Sequence, residues 1–480
     1  MSLSAPRYRR STLLCGFFIA LIGGIALAKV FSSSVSSLWL VLPALLVGLS
    51  FRMRRSTQLL AILLFGLLLG WWRGGVYLQQ LSPYSELNGK KVVMTVTADS
   101  SGVYGQNSQL EFDGSHVNVL APYEVKIPGR VLISGFGANS ILRGDTVSVS
   151  GTLHIRRGSK QAGISYGQIQ VLSRSGSYLE KVRRDFLAGL ATALPEPNDQ
   201  FAAGLLIGQR SELSDNVTNT LRIVGLSHVI AVSGYNLTIL AEVARKRFGK
   251  KSAYRSTIIG LVLVVLFVAL AGSSASIARA AFVSILTIVA AHYGRSVKPL
   301  LLILLAAGYT AFANPLNIWT DIGWYLSFLA FFGVLVVAPA VQNRIYKHKK
   351  EPSTYTAILI ETASAQIMTI PIVMYIFAQV SLVSLVANII VVPLVPLAML
   401  LSLFAGLAGM LVPTMVAVIA WPARVLLDFM LGVSALLARI PHALASVGLS
   451  VYGMVLIYAI IILLVIVARH KTPARATITE

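Results

Sequence analysis

The chain has 480 residues, 56% of them hydrophobic and only 12% charged, with mean hydropathy +0.75 and a formal charge of +22. Soluble globular chains carry about 25% charged residues, so the composition excludes an ordinary soluble protein and indicates an integral membrane protein. The positive charge does not by itself identify a nucleic-acid binder. About half of the 40 basic residues fall in short clusters at 7–10, 52–55, 245–255, 295–298, 344–350 and 469–475, the excess that cytoplasmic loops of membrane proteins carry.

The first membrane block covers 1–75. Basic Arg7 to Arg10, an apolar run and Ala26-Leu27-Ala28 follow the order of a secretory signal,. More apolar runs come at once, so an uncleaved first span is expected. Apolar segments at 11–30, 35–51 and 57–72 place the N-terminus inside and bring the chain out after Trp71-Trp72,. Cys15, in the first of them, is the only cysteine, which excludes an intramolecular disulfide,.

Residues 86–174 alternate in strand fashion, as in Val92-Val93-Met94-Thr95-Val96-Thr97, with glycine and asparagine between the runs,. They predict a small all-β domain on the outer side, of the OB type. Such barrels bind single strands through basic grooves and aromatic rings. Tyr104, Phe112, Tyr123, Phe136 and Tyr166 are available for that role, although core packing is the better account of most of them. Residues 178–199 predict an amphipathic interfacial helix that stops at Pro195-Glu196-Pro197,.

A second membrane block covers 200–470. Spans are expected at 218–243, 256–272, 276–293, 299–313, 322–341, 354–377, twice between 382 and 438, and at 451–468. With the first three these make about 12, each run being near the ~20 residues that cross a bilayer as a helix. The clusters at 245–255, 295–298, 344–350 and 469–475 then all lie inside, with both termini cytoplasmic. Segments 201–217 and 382–412 are expected to be re-entrant or broken, the latter by Pro393 and Pro396,.

These helices carry polar groups, which are costly in hydrocarbon and usually face a cavity, a partner or a solute. His228 and Tyr235 sit seven apart on one helical face with Asn236 beside them, and Ser233-Gly234 lies between,. Ser273, Ser276, Ala280, Ser284 and Thr287 share a small polar face flanked by Arg279, and Glu361 is a candidate partner for that arginine. Tyr355, Thr362, Gln366 and Thr369 share another face. Interhelical hydrogen bonding is the competing account of the first of these faces, and close helix packing that of the second. No phosphate-binding loop is present: Gly249-Lys250-Lys251-Ser252 has Lys251 where Ser or Thr should follow,. No metal-ligand spacing and no convincing Ser/His/Asp set occurs, so no metal, no cofactor and no enzymatic activity are expected.

The second block resembles the ComEC family of competence DNA-uptake channels. The matching pieces are Gly225-Leu226-Ser227-His228 through Ser233-Gly234, Ser276-Ile277-Ala278-Arg279-Ala280-Ala281, Gly294-Arg295-Ser296, Asn314-Pro315, Gly323-Trp324-Tyr325-Leu326-Ser327-Phe328 and Ser381-Leu382-Val383-Ser384-Leu385-Val386-Ala387-Asn388. The predicted β domain is similar to the outer OB-type domain of that family. The resemblance implies a channel that passes single-stranded DNA across the cytoplasmic membrane during transformation. It implies lipid contact, a separate nuclease and a cytoplasmic motor ATPase as partners, and DNA-delivery proteins on the outer side. Family members commonly have Leu-His after Ser-Gly, where this chain has Tyr235-Asn236, and many continue into a nuclease domain. A phosphate-bearing strand needs cations and neutral donors along its way. The candidate path is Arg210, Arg222, His228, Ser233, Tyr235, Asn236, Arg279 and Gln366, with Lys246, Arg247, Lys250 and Lys251 receiving the strand inside. The polar helices equally permit a transporter or flippase for a small anion or lipid-linked substrate, and a membrane scaffold is a third reading.

Overall fold

The computed structural model describes residues 10–31, 37–50, 55–104, 109–138, 140–156, 158, 160–174, 177–208, 213–230, 253–271, 275–294, 298–346 and 354–470. They form two compact units, residues 1–184 with 304–324, and residues 185–303 with 325–480.

In the first unit, α1 (Arg10–Phe31) crosses α3 (Arg55–Glu86) at close range. Glycines make the approach possible. A Cβ on Gly24 would lie 2.0 Å from the Leu67 carbonyl oxygen, and one on Gly70 2.1 Å from that of Leu21. In lipid, where burying apolar surface drives little, such backbone contact is what joins helices. Between them, α2 (Val41–Ser50) has 10 residues, a rise of about 15 Å, and does not cross a bilayer alone. The third apolar segment, expected to end near Trp72, instead continues as one helix to Glu86. Its last residues explain why: Tyr84 and Leu87, 4% and 0% exposed, are part of the β-domain core.

That core is enclosed by β1 (Lys91–Ala98), β3 (Leu110–Ala121), β5 (Val131–Phe136), β6 (Thr146–Ile155) and β7 (Ala162–Ser173), with short β2 (Val103–Tyr104) and β4 (Val125–Ile127) added to β3. β1 pairs antiparallel with both β3 and β6, so the long strands close in the order β1-β3-β5-β7-β6-β1. Only β5 and β7 run parallel. Closure leaves no open edge along the long strands. The alternation read in the sequence follows the wall, with Val92, Met94, Val96 and Ala98 inside. Buried Asp145 anchors the start of β6 by accepting from the Leu142 amide at 3.0 Å and from Arg174 Nη1 at 2.8 Å. Tyr123 donates to the Glu86 carboxylate at 3.1 Å; partial desolvation and that bond hold its hydroxyl above the usual tyrosine range. In the same unit the end of α10 (Pro299–Ala313) and α11 (Leu316–Trp319) pack on α1 and α3.

The second unit is helical. Its core gathers α4 (Tyr178–Ala193), α5 (Asn198–Ile207), α6 (Asp215–Ile223), α7 (Ser227–Ile230), α15 (Ser384–Val391), α16 (Val395–Leu411) and α17 (Val416–Ala438). Around it lie α8 (Ala253–Ala271), α9 (Ala275–His292), α12 (Ile322–Phe332), α13 (Ala338–Tyr346), α14 (Thr354–Phe377) and α18 (Val451–His470). Strands β8 (Gln379–Ser381) and β9 (Leu444–Ser446) pair antiparallel and tie the α14–α15 connection to that between α17 and α18. The helix read over 178–199, with its stop at Pro195-Glu196-Pro197, is α4. α4 ends at Ala193, and α5 then carries Phe201, Ala202, Ala203, Leu205 and Ile207, all buried. The burial of these five side chains places α5 in the helical core. With 10 residues, rising about 15 Å, α5 enters the core without crossing.

The chain is a membrane protein. Among the described residues, Arg10–Phe31, Thr57–Glu86, Ile322–Tyr346, Thr356–Phe377, Ser384–Leu411 and Pro413–Ala438 are long and apolar enough to cross, and four shorter apolar helices accompany them. The break expected in 382–412 is a 3-10 turn, Val392–Leu394, between α15 and α16, because proline removes one helical N–H and clashes with the preceding turn. The span expected at 218–243 does not begin as one helix: α6 stops at Ile223, α7 starts at Ser227, and 231–252 lie outside the described residues.

Candidate functional site

The site is built on the end of α6. Ser214 caps its start, accepting from the Val217 amide at 3.4 Å. Gly225, at φ +74°, turns the chain away from the helix. The Leu226 amide then donates to the Leu221 carbonyl at 2.8 Å and the Gly225 amide to that of Arg222 at 3.1 Å. This is a left-handed glycine cap, in which two carbonyls left over by the last helical turn find donors. Leu221 and Leu226, 1% and 0% exposed, supply the apolar contact that accompanies it. His228 Nδ1 lies 3.1 Å from the Gly225 carbonyl. A carbonyl only accepts, so Nδ1 carries the proton and Nε2 of the neutral ring is an acceptor.

The same glycine is the place where distant segments meet. A Cβ on Gly225 would stand 2.6 Å from Ser384 Cβ and 3.4 Å from Ser381 Cβ. Ser384 opens α15; its hydroxyl accepts from Gln366 Nε2 of α14 and donates to the Ser381 carbonyl at 2.9 Å. Ser381 is held by the β8–β9 ribbon, pairing with Leu444. One turn beyond Ser384, Asn388 lies on the same face, 5% exposed. Ser381 Oγ and Asn388 Oδ1 are buried and meet no hydrogen-bond partner among the described residues. A buried polar atom left so costs about 1–3 kcal/mol, and this seam therefore has polar groups that a polar guest could engage. Its chemistry is neutral, made of hydroxyls, amides and backbone carbonyls.

Arg222 is exposed and borders a cavity of about 300 Å³ with Asn219, Ile223, His442 and Leu444. His228 is exposed at the other side of the Gly225 turn. Gln366 is part of the seam. Arg279, on α9, is 2% exposed and sits in helix contacts; no ion pair between it and Glu361 is found among the described residues. Arg210, Ser233, Tyr235 and Asn236 lie outside the described residues, as do Lys246, Arg247, Lys250 and Lys251. The structure therefore brings Gln366 to the Gly225 turn that carries Arg222 and His228. The sequence reading missed Ser381, Ser384 and Asn388 as site residues. The signal was present in the four-residue spacing of Ser384 and Asn388, but nothing in it said which helix would face them. The Asn314–Trp324 stretch, by contrast, is structural. Trp324 Nε1 donates to Thr310 Oγ1 at 3.0 Å, Asn317 to the Thr310 carbonyl at 2.8 Å, and Asn314 Oδ1 accepts from the Leu316 amide at 3.1 Å.

A family model described as "Competence protein" matches residues 205–472. The chain is 24% identical over 225 residues to ComE operon protein 3 of Bacillus subtilis (strain 168), the aligned stretch being 46% of this chain and 28% of that relative. The chain thus spans well under half of that relative's length. No solved structure matches. The matched region contains the Gly225 turn and the seam of Gln366, Ser381, Ser384 and Asn388.

Proposed function

The chain belongs to the competence protein family, of the ComEC type, and on that premise we propose that it is a conduit carrying one strand of DNA through the cytoplasmic membrane during natural transformation. The observation that carries the reading is the polar seam at Gly225. Segments more than 130 residues apart in sequence, 225–228 and 366–388, place neutral donors and acceptors together inside a bundle of apolar helices. Such groups suit a polyanion that must pass without being held, because dispersed weak contacts permit transit whereas one tight site stalls it.

The path proposed is Arg210, Arg222, His228, Ser233, Tyr235, Asn236, Arg279 and Gln366, to which Ser384 and Asn388 are added. In it, Arg222 and its cavity receive the strand on the outer side. The β domain is proposed as an OB-type barrel outside the membrane. Its closed strand order and its parallel β5–β7 pair support that reading. So do two exposed rings, Phe136 and Tyr166, whose centroids are 6.5 Å apart. Tyr166 holds φ +57° at the register irregularity between β5 and β7, which turns its ring outward beside Phe136,. Bases stack on such rings regardless of sequence. About 12 spans, cytoplasmic termini, a separate nuclease, a motor ATPase and outer DNA-delivery proteins complete the proposal. Driving force comes from those partners, the chain itself acting as passage and not as enzyme.

The test is deletion of the gene followed by complementation, scoring transformation and the internalisation of end-labelled DNA while DNA binding at the cell surface is monitored. Surface-bound DNA that no longer becomes internal is the expected result. Unchanged internalisation in the deletion strain overturns the reading.

A further inference from the structure

A second polar cluster lies away from the Gly225 seam, where α5 meets α17. α17 buries Ala420, Ala423, Leu427, Met430 and Ser434 in one seam at alternating spacings of three and four, the stripe a helix presents to its neighbours. On the flank of that stripe stand Arg424 and Asp428, a helical i,i+4 pair whose side chains are 58% and 57% exposed. Both are about 15 Å from the nearer end of the apolar segment Pro413–Ala438,. That is the depth of the hydrocarbon centre. Arg424 Nε is 3.7 Å from Asp428 Oδ2. Asp428 Oδ1 accepts from Asn198 Nδ2 of α5 at 2.6 Å. Asn198 is 1% exposed, and its own Oδ1 is buried with no hydrogen-bond partner among the described residues.

Exposed charges at that depth do not face lipid tails; they border water, a polar solute or another polar surface. The cluster is already neutral within the chain, so it does not call for an opposite charge from a second copy. Its geometry suits a passing anion. Asn198 fixes one oxygen of Asp428, and the other oxygen meets the guanidinium only loosely; no partner of the Arg424 Nη donors is found among the described residues, so they can engage a phosphate in the forked manner arginine favours,. The nearby carboxylate weakens each such contact, so the phosphate is released to the next position.

We infer that the α17 flank bearing Arg424 and Asp428, backed by Asn198, lines the aqueous passage at mid-membrane depth, with Arg424 touching the phosphodiester backbone and Asp428 positioning it. This rests on the strand-conduit reading.

The experiment uses the full chain in cells with Cys15→Ser, adding Arg424→Cys, Asp428→Cys or, on the apolar exposed face, Val425→Cys. Cysteines at 424 and 428 should react with a charged, membrane-impermeant methanethiosulfonate about tenfold or more faster than the one at 425, and transforming DNA should slow that reaction. Equal reactivity at the three positions, no slowing by DNA, or spontaneous disulfide-linked dimers of Arg424→Cys each overturn the inference, the last by making this face an interface between copies. In parallel, Arg424→Gln at normal protein level should lower DNA internalisation about tenfold, the free energy of roughly one charge-assisted contact, and Arg424→Lys should recover most of it. Arg424→Gln cells that internalise DNA like the parent also overturn it. If the gene deletion abolishes transformation while position 424 stays unreactive, the family role stands and only this placement fails.

Discussion

Gly225 joins two requirements at one residue. Its φ of +74° belongs to the left-handed region that glycine enters without penalty,, and the missing side chain lets Ser384 approach. Gly225→Ala should cost about 2 kcal/mol, roughly half from the backbone and half from the collision, read as a lower thermal unfolding midpoint in detergent. In a Ser384→Gly background, where the Gln366 hydrogen bond is already lost, Gly225→Ala should cost only the backbone share; no cost there would show that the backbone conformation carries none. The Gln366–Ser384 hydrogen bond gives a second residue-scale test. Gln366→Leu and Ser384→Ala should each destabilise by about 1 kcal/mol, while the double variant loses about 1 kcal/mol less than their sum because the pair is one interaction. Strict additivity in the double-mutant cycle would show that the two side chains act separately.

Backbone approach and caps join elements in this protein alongside its apolar cores. α4 meets α16 where Gly189 and Gly409 let the chains touch, a Cβ on Gly409 falling 2.0 Å from the Gly189 carbonyl oxygen. The end of α10 is closed from a distance. Arg73 of α3 donates through Nε to the Phe312 carbonyl at 3.0 Å and through Nη2 to that of Ala313 at 3.1 Å. A cation at a helix C-terminus satisfies leftover carbonyls and the dipole together. Arg73→Ala should therefore lower stability by about 1–2 kcal/mol, with faster proteolysis near 313 as the local readout; a cleavage pattern like the parent's would remove the cap from the account. Prolines act at this scale too, since Pro393 and Pro396 turn one apolar run into α15, a 3-10 turn and α16 without ending the rod.

For the whole molecule, the proposed conduit assigns capture of a strand to the closed β domain and its passage to the membrane block. The exposed rings of Phe136 and Tyr166 make the capture step testable. Phe136→Ala with Tyr166→Ala should reduce internalised DNA by about tenfold, since stacking contributes about 1–3 kcal/mol per base, while the barrel stays folded because both rings lie outside its core. Wild-type internalisation in the double variant would leave the rings without a role in the strand's path.

The sequence by itself determined the membrane class, the strand alternation of the β domain, and several of the long apolar helices. Those properties are set by local period and by runs of apolar residues, and both are written along the chain. It also marked Arg222, His228 and Gln366 as polar groups in apolar surroundings. Only the tertiary structure decided that α3 ends inside the β-domain core, that β1 closes the barrel by pairing on both edges, and that α5 is a short helix within the core. It likewise decided that Gln366 reaches Ser384 across Gly225, and that Asn198 meets Asp428 from 230 residues away. A helical period tells which residues share a face. It does not tell which two faces meet, because that choice depends on backbone approach at glycines and on hydrogen-bond partners far apart in the chain.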